Sequence, residues 1–305
     1  MAFQTKPRIV GTDPRYNPRV TRPPKAPKPP KTVAFQGEKG AFSQVAVQQL
    51  LGDQVTVVPC QRFEEVFRTL SDGKVDTAVI PIENTLHGSI HENYDHLLNF
   101  DLPIIGETHV RISHSLIACP GVSFKSIKKV YSHPVALNQC QKFFAANPQF
   151  ERVSFYDTAG SVKMIMEQHL PDAAAIASSV AARIYDAKVL KRGIEDDREN
   201  FTRFFLLTRP GQPAPPSDTK AWKTSLVFTT RNTPGSLFRA LSTFALRDLS
   251  LAKIESRPLR GKPWEYLFYL DFLGRVDDPV SQKALGHLAE LADLLRVLGS
   301  YPKGT

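Results

Sequence analysis

The chain has 305 residues, 42% of them hydrophobic and 23% charged, with a formal net charge of +9, long enough for two separate cores. No apolar run reaches the roughly 18 residues of a membrane-spanning helix, and Cys60, Cys119 and Cys140 are too few and too scattered for a disulfide framework or a clustered metal site. The basic charge would suggest nucleic acid, but Lys6, Arg8, Arg15, Arg19, Arg22, Lys25, Lys28 and Lys31 against Asp13 place +7 of it ahead of Val33, so the rest is nearly neutral and neither a nucleic-acid nor a membrane partner is expected.

Residues 1–31 also hold 8 of the 24 prolines and are expected to be an extended, disordered tail. With no serine and no apolar segment the tail matches neither a secretory signal nor a typical transit peptide. A reducing, cytoplasmic location is therefore expected, with a plastid as the alternative.

From Thr32 to Gln36 a short apolar strand runs into the turn Gly37-Glu38-Lys39-Gly40, and Ala41 to Leu51 has helical spacing. The turn is neither a Walker loop nor a dinucleotide fingerprint, yet its backbone N–H groups and the Ser43 hydroxyl lie at a helix start that favours an anion. Val55–Pro59 reads as a strand, Phe63–Leu70 as a helix, and Thr77 to Ile82 as a strand apolar enough to be buried on both faces. Glu83-Asn84-Thr85-Leu86-His87-Gly88-Ser89 follows at its C-terminal end, where open α/β sheets bind ligands, and a helix spans Ile90–Leu98.

Ile104–Arg111 and Leu116–Ala118 read as strands leading into a second lobe. There the pattern predicts a strand at Lys129–Ser132, a turn at His133-Pro134 and one helix over Val135–Ala146. It continues with a strand at Arg152–Tyr156, a helix opened by Asp157-Thr158-Ala159-Gly160-Ser161, a strand at Ala173–Ala177 and a helix at Ser178–Tyr185. The acidic run Glu195-Asp196-Asp197 precedes Asn200-Phe201-Thr202-Arg203-Phe204, which puts an amide, a hydroxyl and a guanidinium inside an otherwise apolar strand that returns to the first lobe. Buried polar groups need partners, from the fold or from a ligand. Three strand-to-helix turns converging beside this strand would suit a small molecule with more than one carboxylate.

His91 and His96 stand about 140° apart on a helix, and His91-Glu92-Asn93-Tyr94-Asp95-His96 is one residue too long for the zinc-protease motif. No metal and no cofactor are expected. Residues 210–221, rich in proline, read as a linker. Residues 222–305 then give strand, helix, strand, strand, helix, strand, the ferredoxin-like order.

These segments carry a resemblance. Gly37 to Ser43, Pro81 to Asn93, Ser132-His133-Pro134 with Gln139-Cys140, Asp157 to Ser161 and Asn200 to Phe204 resemble prephenate dehydratase and the related arogenate dehydratase. Gly235-Ser236-Leu237-Phe238 and Glu255-Ser256-Arg257-Pro258 resemble the ACT regulatory domain that follows them. The resemblance implies an α/β catalytic region at residues 32–209 with two lobes of the type II periplasmic-binding-protein kind, then an α+β ferredoxin-like ACT domain. It implies a lyase that removes CO2 and water from prephenate to give phenylpyruvate, with arogenate to phenylalanine as the alternative and a non-catalytic amino-acid sensor as a rival of another class. Thr202 is then the catalytic hydroxyl, with Ser43, Asn84, Thr85, Ser89, Thr158, Asn200 and Arg203 as substrate-binding candidates. Because Thr202 facing inward sends Arg203 to the other side of a regular strand, Arg203 stays open between carboxylate binding and structure, and His133 is read as structural. In the ACT part, Gly235, Ser236, Leu237 and Phe238 with Glu255, Ser256, Arg257 and Pro258 are implied to bind phenylalanine as a feedback effector at the interface of a homo-oligomer, dimer or tetramer.

Overall fold

The computed structural model describes residues 30–212, 221–259 and 265–304. Most of the expected tail and residues 213–220 of the expected linker lie outside them. The chain divides into two compact units, one of Pro30–Asp101 and Glu107–Arg209, the other of Leu102–Gly106 and Pro210–Gly304.

In chain order the first region comprises β1 (Thr32–Gln36), α1 (Phe42–Leu51), β2 (Thr56–Cys60), α2 (Phe63–Ser71), β3 (Thr77–Asn84), β4 (Gly88–Ser89), α3 (His91–Asn99), β5 (Ile104–Arg111) and β6 (Ser115–Ala118). It continues with β7 (Lys129–Ser132), α4 (Pro134–Asn138), α5 (Gln141–Ala145), β8 (Glu151–Ser154), α6 (Thr158–Glu167), β9 (Ala173–Ala177), α7 (Ser179–Ile184), β10 (Lys188–Arg192) and β11 (Phe201–Thr208). Two sheets result, ordered β2-β1-β3-β11-β5 with β4 beside β3, and β10-β6-β9-β7-β8. The chain leaves the first sheet after β5 and returns to it as β11, the two-lobed arrangement expected.

β3 is central because Thr77 to Ile82 are buried throughout, with β1 parallel on one side and β11 antiparallel on the other. Its proline is accommodated because pairing with β1 ends at Val79 and the ladder to β11 shifts register next to Pro81. The two lobes meet at the first glycine turn: the Ser178 hydroxyl donates to the Gly40 carbonyl at 2.6 Å. A Cβ on Gly40 would fall 2.5 Å from the Ala181 Cα, and φ is +90°, so only glycine fits.

Two expectations need correction. The single helix predicted over Val135–Ala146 is two, because the Asp196 carboxylate accepts from the N–H groups of Gln141 (2.8 Å) and Lys142 (2.9 Å), capping a new start after Cys140. A strand absent from the sequence reading, β10, pairs antiparallel with β6 across a register shift.

The second unit holds β12 (Trp222–Thr230), α8 (Ser236–Ala245), β13 (Leu251–Pro258), β14 (Tyr266–Leu273), α9 (Pro279–Leu291) and β15 (Ala292–Pro302). Its sheet order β13-β14-β12-β15 is ferredoxin-like, and Leu226, Phe228, Phe244, Phe272 and Leu288 form its core. No helix among the described residues is long and apolar enough to cross a membrane.

Candidate active site

β11 places Thr202 directly opposite Asn84 of β3. The Asn84 amide is oriented by unambiguous partners. Its oxygen accepts from the backbone N–H groups of Leu86 and His87, both at 3.0 Å, and its nitrogen faces the Phe201 carbonyl at 3.1 Å, Asn200 Oδ1 at 2.8 Å and Thr202 Oγ1 at 3.0 Å. Asn84 is thus the donor and Thr202 the acceptor, leaving the Thr202 proton for a ligand.

Thr202 and Asn84 line a cavity of about 340 Å³ within the first unit, together with Phe42, His87, Gly88, Ser89, Ile90, Ile112, His114, His133, Val135, Ala136, Gln139 and Thr158. No lysine, arginine, aspartate or glutamate is among them. The three histidines are nonetheless restricted in what they offer. His133 Nδ1 accepts from the Val135 N–H at 3.2 Å at the start of α4, so its proton sits on Nε2. His87 Nδ1 lies between Asn84 Oδ1 at 3.1 Å and Gln139 Nε2 at 3.4 Å. His114 is 2% exposed and burial pushes its pKa below the ordinary histidine range, against opposing contributions from Gln139 and Glu195. The wall therefore sets a few hydrogen-bonding side chains, none of them a lysine, arginine, aspartate or glutamate, into a mainly apolar surface, suited to a small ligand that is part apolar and part polar.

Three of the expected substrate-binding residues line the cavity: Asn84, Ser89 and Thr158. The others stand behind it. Ser43 is buried in α1, where the neighbouring Phe42 supplies the wall instead. The Thr85 hydroxyl donates to the Glu199 carbonyl at 2.8 Å and accepts from the Phe201 N–H at 2.9 Å, stitching β11 to the loop after β3. Asn200 is fully buried and its oxygen accepts from Asn84.

Arg203, left open between carboxylate binding and structure, stands on the structural side. Its guanidinium turns away from the cavity to Glu107, with Nε and Nη2 at 2.7 and 2.6 Å from Oε2, Glu83 at 4.0 Å, and the Phe205 ring beneath it at 4.7 Å. Arg203 stands opposite Glu83 in the ladder as Thr202 stands opposite Asn84, so strand alternation sends the ion pair to the reverse face. His87, His114, His133 and Gln139 line the cavity although the sequence gives none of them a substrate role. His133 and Gln139 sat in quoted segments, whereas nothing local marked His114. Among the described residues no group of three or more His, Cys, Asp or Glu is placed to hold a metal ion.

In the second unit, Gly235, Ser236, Leu237 and Phe238 line a cavity of about 200 Å³ with Thr230, Thr233, Tyr266 and Phe268. Gly235 has φ +78° at the start of α8, a left-handed conformation that favours glycine. Glu255, Ser256, Arg257 and Pro258 do not line it; they lie on β13, an edge strand, with Ser256 opposite Phe268.

Residues 33–212 match the family model for prephenate dehydratase. The chain is 45% identical over 282 residues to arogenate dehydratase/prephenate dehydratase 2, chloroplastic, of Arabidopsis thaliana, covering 90% of this chain and 73% of that one. It is 45% identical over 284 residues to arogenate dehydratase 2 of Petunia hybrida, covering 88% and 71%. Among solved structures it resembles prephenate dehydratase in complex with L-Phe from Arthrobacter aurescens, with a TM-score of 0.81, 34% identity and coverage of 89% and 90%. A structure described as GqqA, a novel type of quorum quenching acylase, is as similar, with a TM-score of 0.81, 31% identity and coverage of 89% and 97%.

Proposed function

The chain belongs to the prephenate dehydratase family and is a dehydratase lyase, and we propose that arogenate is its principal substrate and prephenate a second one. This reverses the order expected from sequence, because the relatives at 45% identity carry arogenate in their names. The observation that carries the dehydration chemistry, common to both substrates, is the Asn84–Thr202 bond, which spends a lone pair of the hydroxyl and directs its proton to the ligand.

The chemistry asks little of the protein in acid strength. The bond from the ring to its carboxylate breaks, its electron pair moves through the ring, and the hydroxyl on the opposite carbon departs as water after taking up one proton that comes from solvent. Arogenate thereby gives phenylalanine and CO2, and prephenate gives phenylpyruvate and CO2. Aromatisation drives the step, so the site must orient the substrate and stabilise charge on the departing oxygen. Thr202 supplies a positioned O–H donor rather than a strong acid. Thr158, Ser89 and the Nε2–H of His133 receive the carboxylates, and Phe42, Ile90, Ile112 and Val135 meet the ring.

The second unit serves as the regulatory domain, with phenylalanine held at Gly235 to Phe238 and Glu255 to Pro258 completing the site in a homo-oligomer. Feedback follows if the two states of the enzyme bind phenylalanine unequally. The plastid, named for the Arabidopsis relative, becomes the favoured location, to be checked by fractionation of the source cells. The functional test is product identification after supplying arogenate, prephenate and an N-acyl homoserine lactone separately, with and without phenylalanine. Phenylalanine from arogenate at the highest rate is expected; faster prephenate turnover would reverse the substrate order, and acyl hydrolysis alone would replace the reading.

A further inference from the structure

We propose that His114 is a positioning residue for the dehydratase reaction: it fixes the Gln139 amide so that its NH2 group, not its oxygen, faces the substrate. The proposal rests on the dehydratase reading and adds to it a residue that acts on the substrate through another.

The geometry begins with the contact of 2.8 Å between His114 Nε2 and Gln139 Oε1. The ring is 2% exposed, which holds it neutral, so it carries one proton. Its other nitrogen, Nδ1, is buried without a hydrogen-bond partner among the described residues. A proton there would be an orphaned buried donor, a rarer and more expensive condition than an unused lone pair. The proton therefore sits on Nε2 and donates to Gln139, which makes the near end of the amide its oxygen. An amide flipped end for end would force the proton onto Nδ1.

The far end of the amide is then an NH2 group with two protons, of which His87 Nδ1 at 3.4 Å can take at most one. An oxygen of the substrate in the cavity is the acceptor left for the other N–H. Both backbones are also clamped by the acidic run ahead of β11. Glu195 Oε2 accepts from the His114 N–H at 2.8 Å and Oε1 pairs with Arg111 at 3.0 Å. The Asp196 N–H donates to the Gln139 carbonyl at 2.7 Å. Phe42 stands edge-on against the His114 ring at 5.5 Å, fixing its plane. The arrangement holds a neutral donor ready before the substrate arrives, the condition under which such a donor is most effective.

The test is a double-mutant cycle in kcat/KM with His114→Leu and Gln139→Ala, made on full-length protein and accompanied by melting curves. Loss of the Gln139 donor is expected to lower turnover by about 100-fold, and His114→Leu by about 10-fold. In the Gln139→Ala background His114→Leu should have almost no further effect. His114→Gln, whose amide reaches the Nε2 position, should keep activity within about 3-fold, while the shorter His114→Asn should behave like leucine. Equal losses from His114→Leu in both backgrounds, or wild-type turnover in a folded His114→Leu or His114→Asn, would overturn the proposal. Should the leucine variant not fold, the glutamine and asparagine pair decides: both active or both inactive refutes it. A wild-type protein inactive on arogenate and prephenate would remove the dehydratase reading itself, an outcome distinguishable from additive losses in an active enzyme.

Discussion

Asn84 and Thr202 face each other across the β3–β11 ladder and are joined by one hydrogen bond of 3.0 Å, in which the amide donates and the hydroxyl accepts. The orientation is set by the backbone N–H groups of Leu86 and His87 on the amide oxygen. The polarity of the Thr202 hydroxyl therefore depends on a residue one strand away.

Asn84→Asp tests that dependence with little change of shape. A carboxylate would accept from Thr202, turn its proton inward and add a charge beside the substrate. kcat should fall by about 100-fold or more, with the protein still folded by circular dichroism. A kcat within a few-fold of wild type would mean that Asn84 does not set the hydroxyl.

Arg203 is predicted to matter for stability and not for substrate binding. Glu107 is 5% exposed, so Arg203→Leu takes the guanidinium away from a buried carboxylate, at a cost of about 3–5 kcal/mol. The double replacement Arg203→Met with Glu107→Leu should regain most of that stability in urea unfolding, with KM unchanged. A KM raised tenfold or more in the folded double variant would restore Arg203 to the binding site.

The buried His114 also predicts a pH dependence of stability. Its folded pKa is depressed by burial, while the unfolded chain titrates near about 6.5. Its contribution is therefore complete above that unfolded value and is lost as pH falls through the lower folded value, because the unfolded state then binds the extra proton. Between pH 7.5 and 5.0 the melting temperature of wild type should fall further than that of His114→Gln. Parallel curves would show that His114 is not held neutral.

In the second unit Gly235→Ala should weaken phenylalanine binding, since the left-handed backbone at φ +78° disfavours a side chain by about 1 kcal/mol and α8 starts from it. Calorimetric titration with phenylalanine is expected to show affinity reduced by about 5-fold or more, with basal turnover unchanged. Unaltered affinity would place the effector elsewhere.

Much of this was legible in the sequence because it is local. The strands and helices of the ferredoxin-like unit follow from hydrophobic period and glycine or proline punctuation, and strand alternation already separated Thr202 from Arg203. What could not be read depends on residues distant in the chain. The helix break at Cys140 comes from Asp196, 55 residues beyond Gln141. β10, Lys-Val-Leu-Lys-Arg, is short and half exposed, and its pairing with β6 fixes it more than its own pattern does. Glu107, which takes Arg203 out of the cavity, lies 96 residues before it. His114 and Gln139 meet across 25 residues with no motif joining them.

The central claim is that the Thr202 hydroxyl donates to the departing oxygen of the substrate. The direct measurement is turnover of arogenate and prephenate at saturation by Thr202→Val and Thr202→Ser, with substrate binding followed separately. Thr202→Ser should keep a substantial fraction of wild-type kcat, whereas Thr202→Val, nearly the same shape without the donor, should fall by about 100-fold or more while binding substrate normally. Wild-type kcat in Thr202→Val would contradict the account.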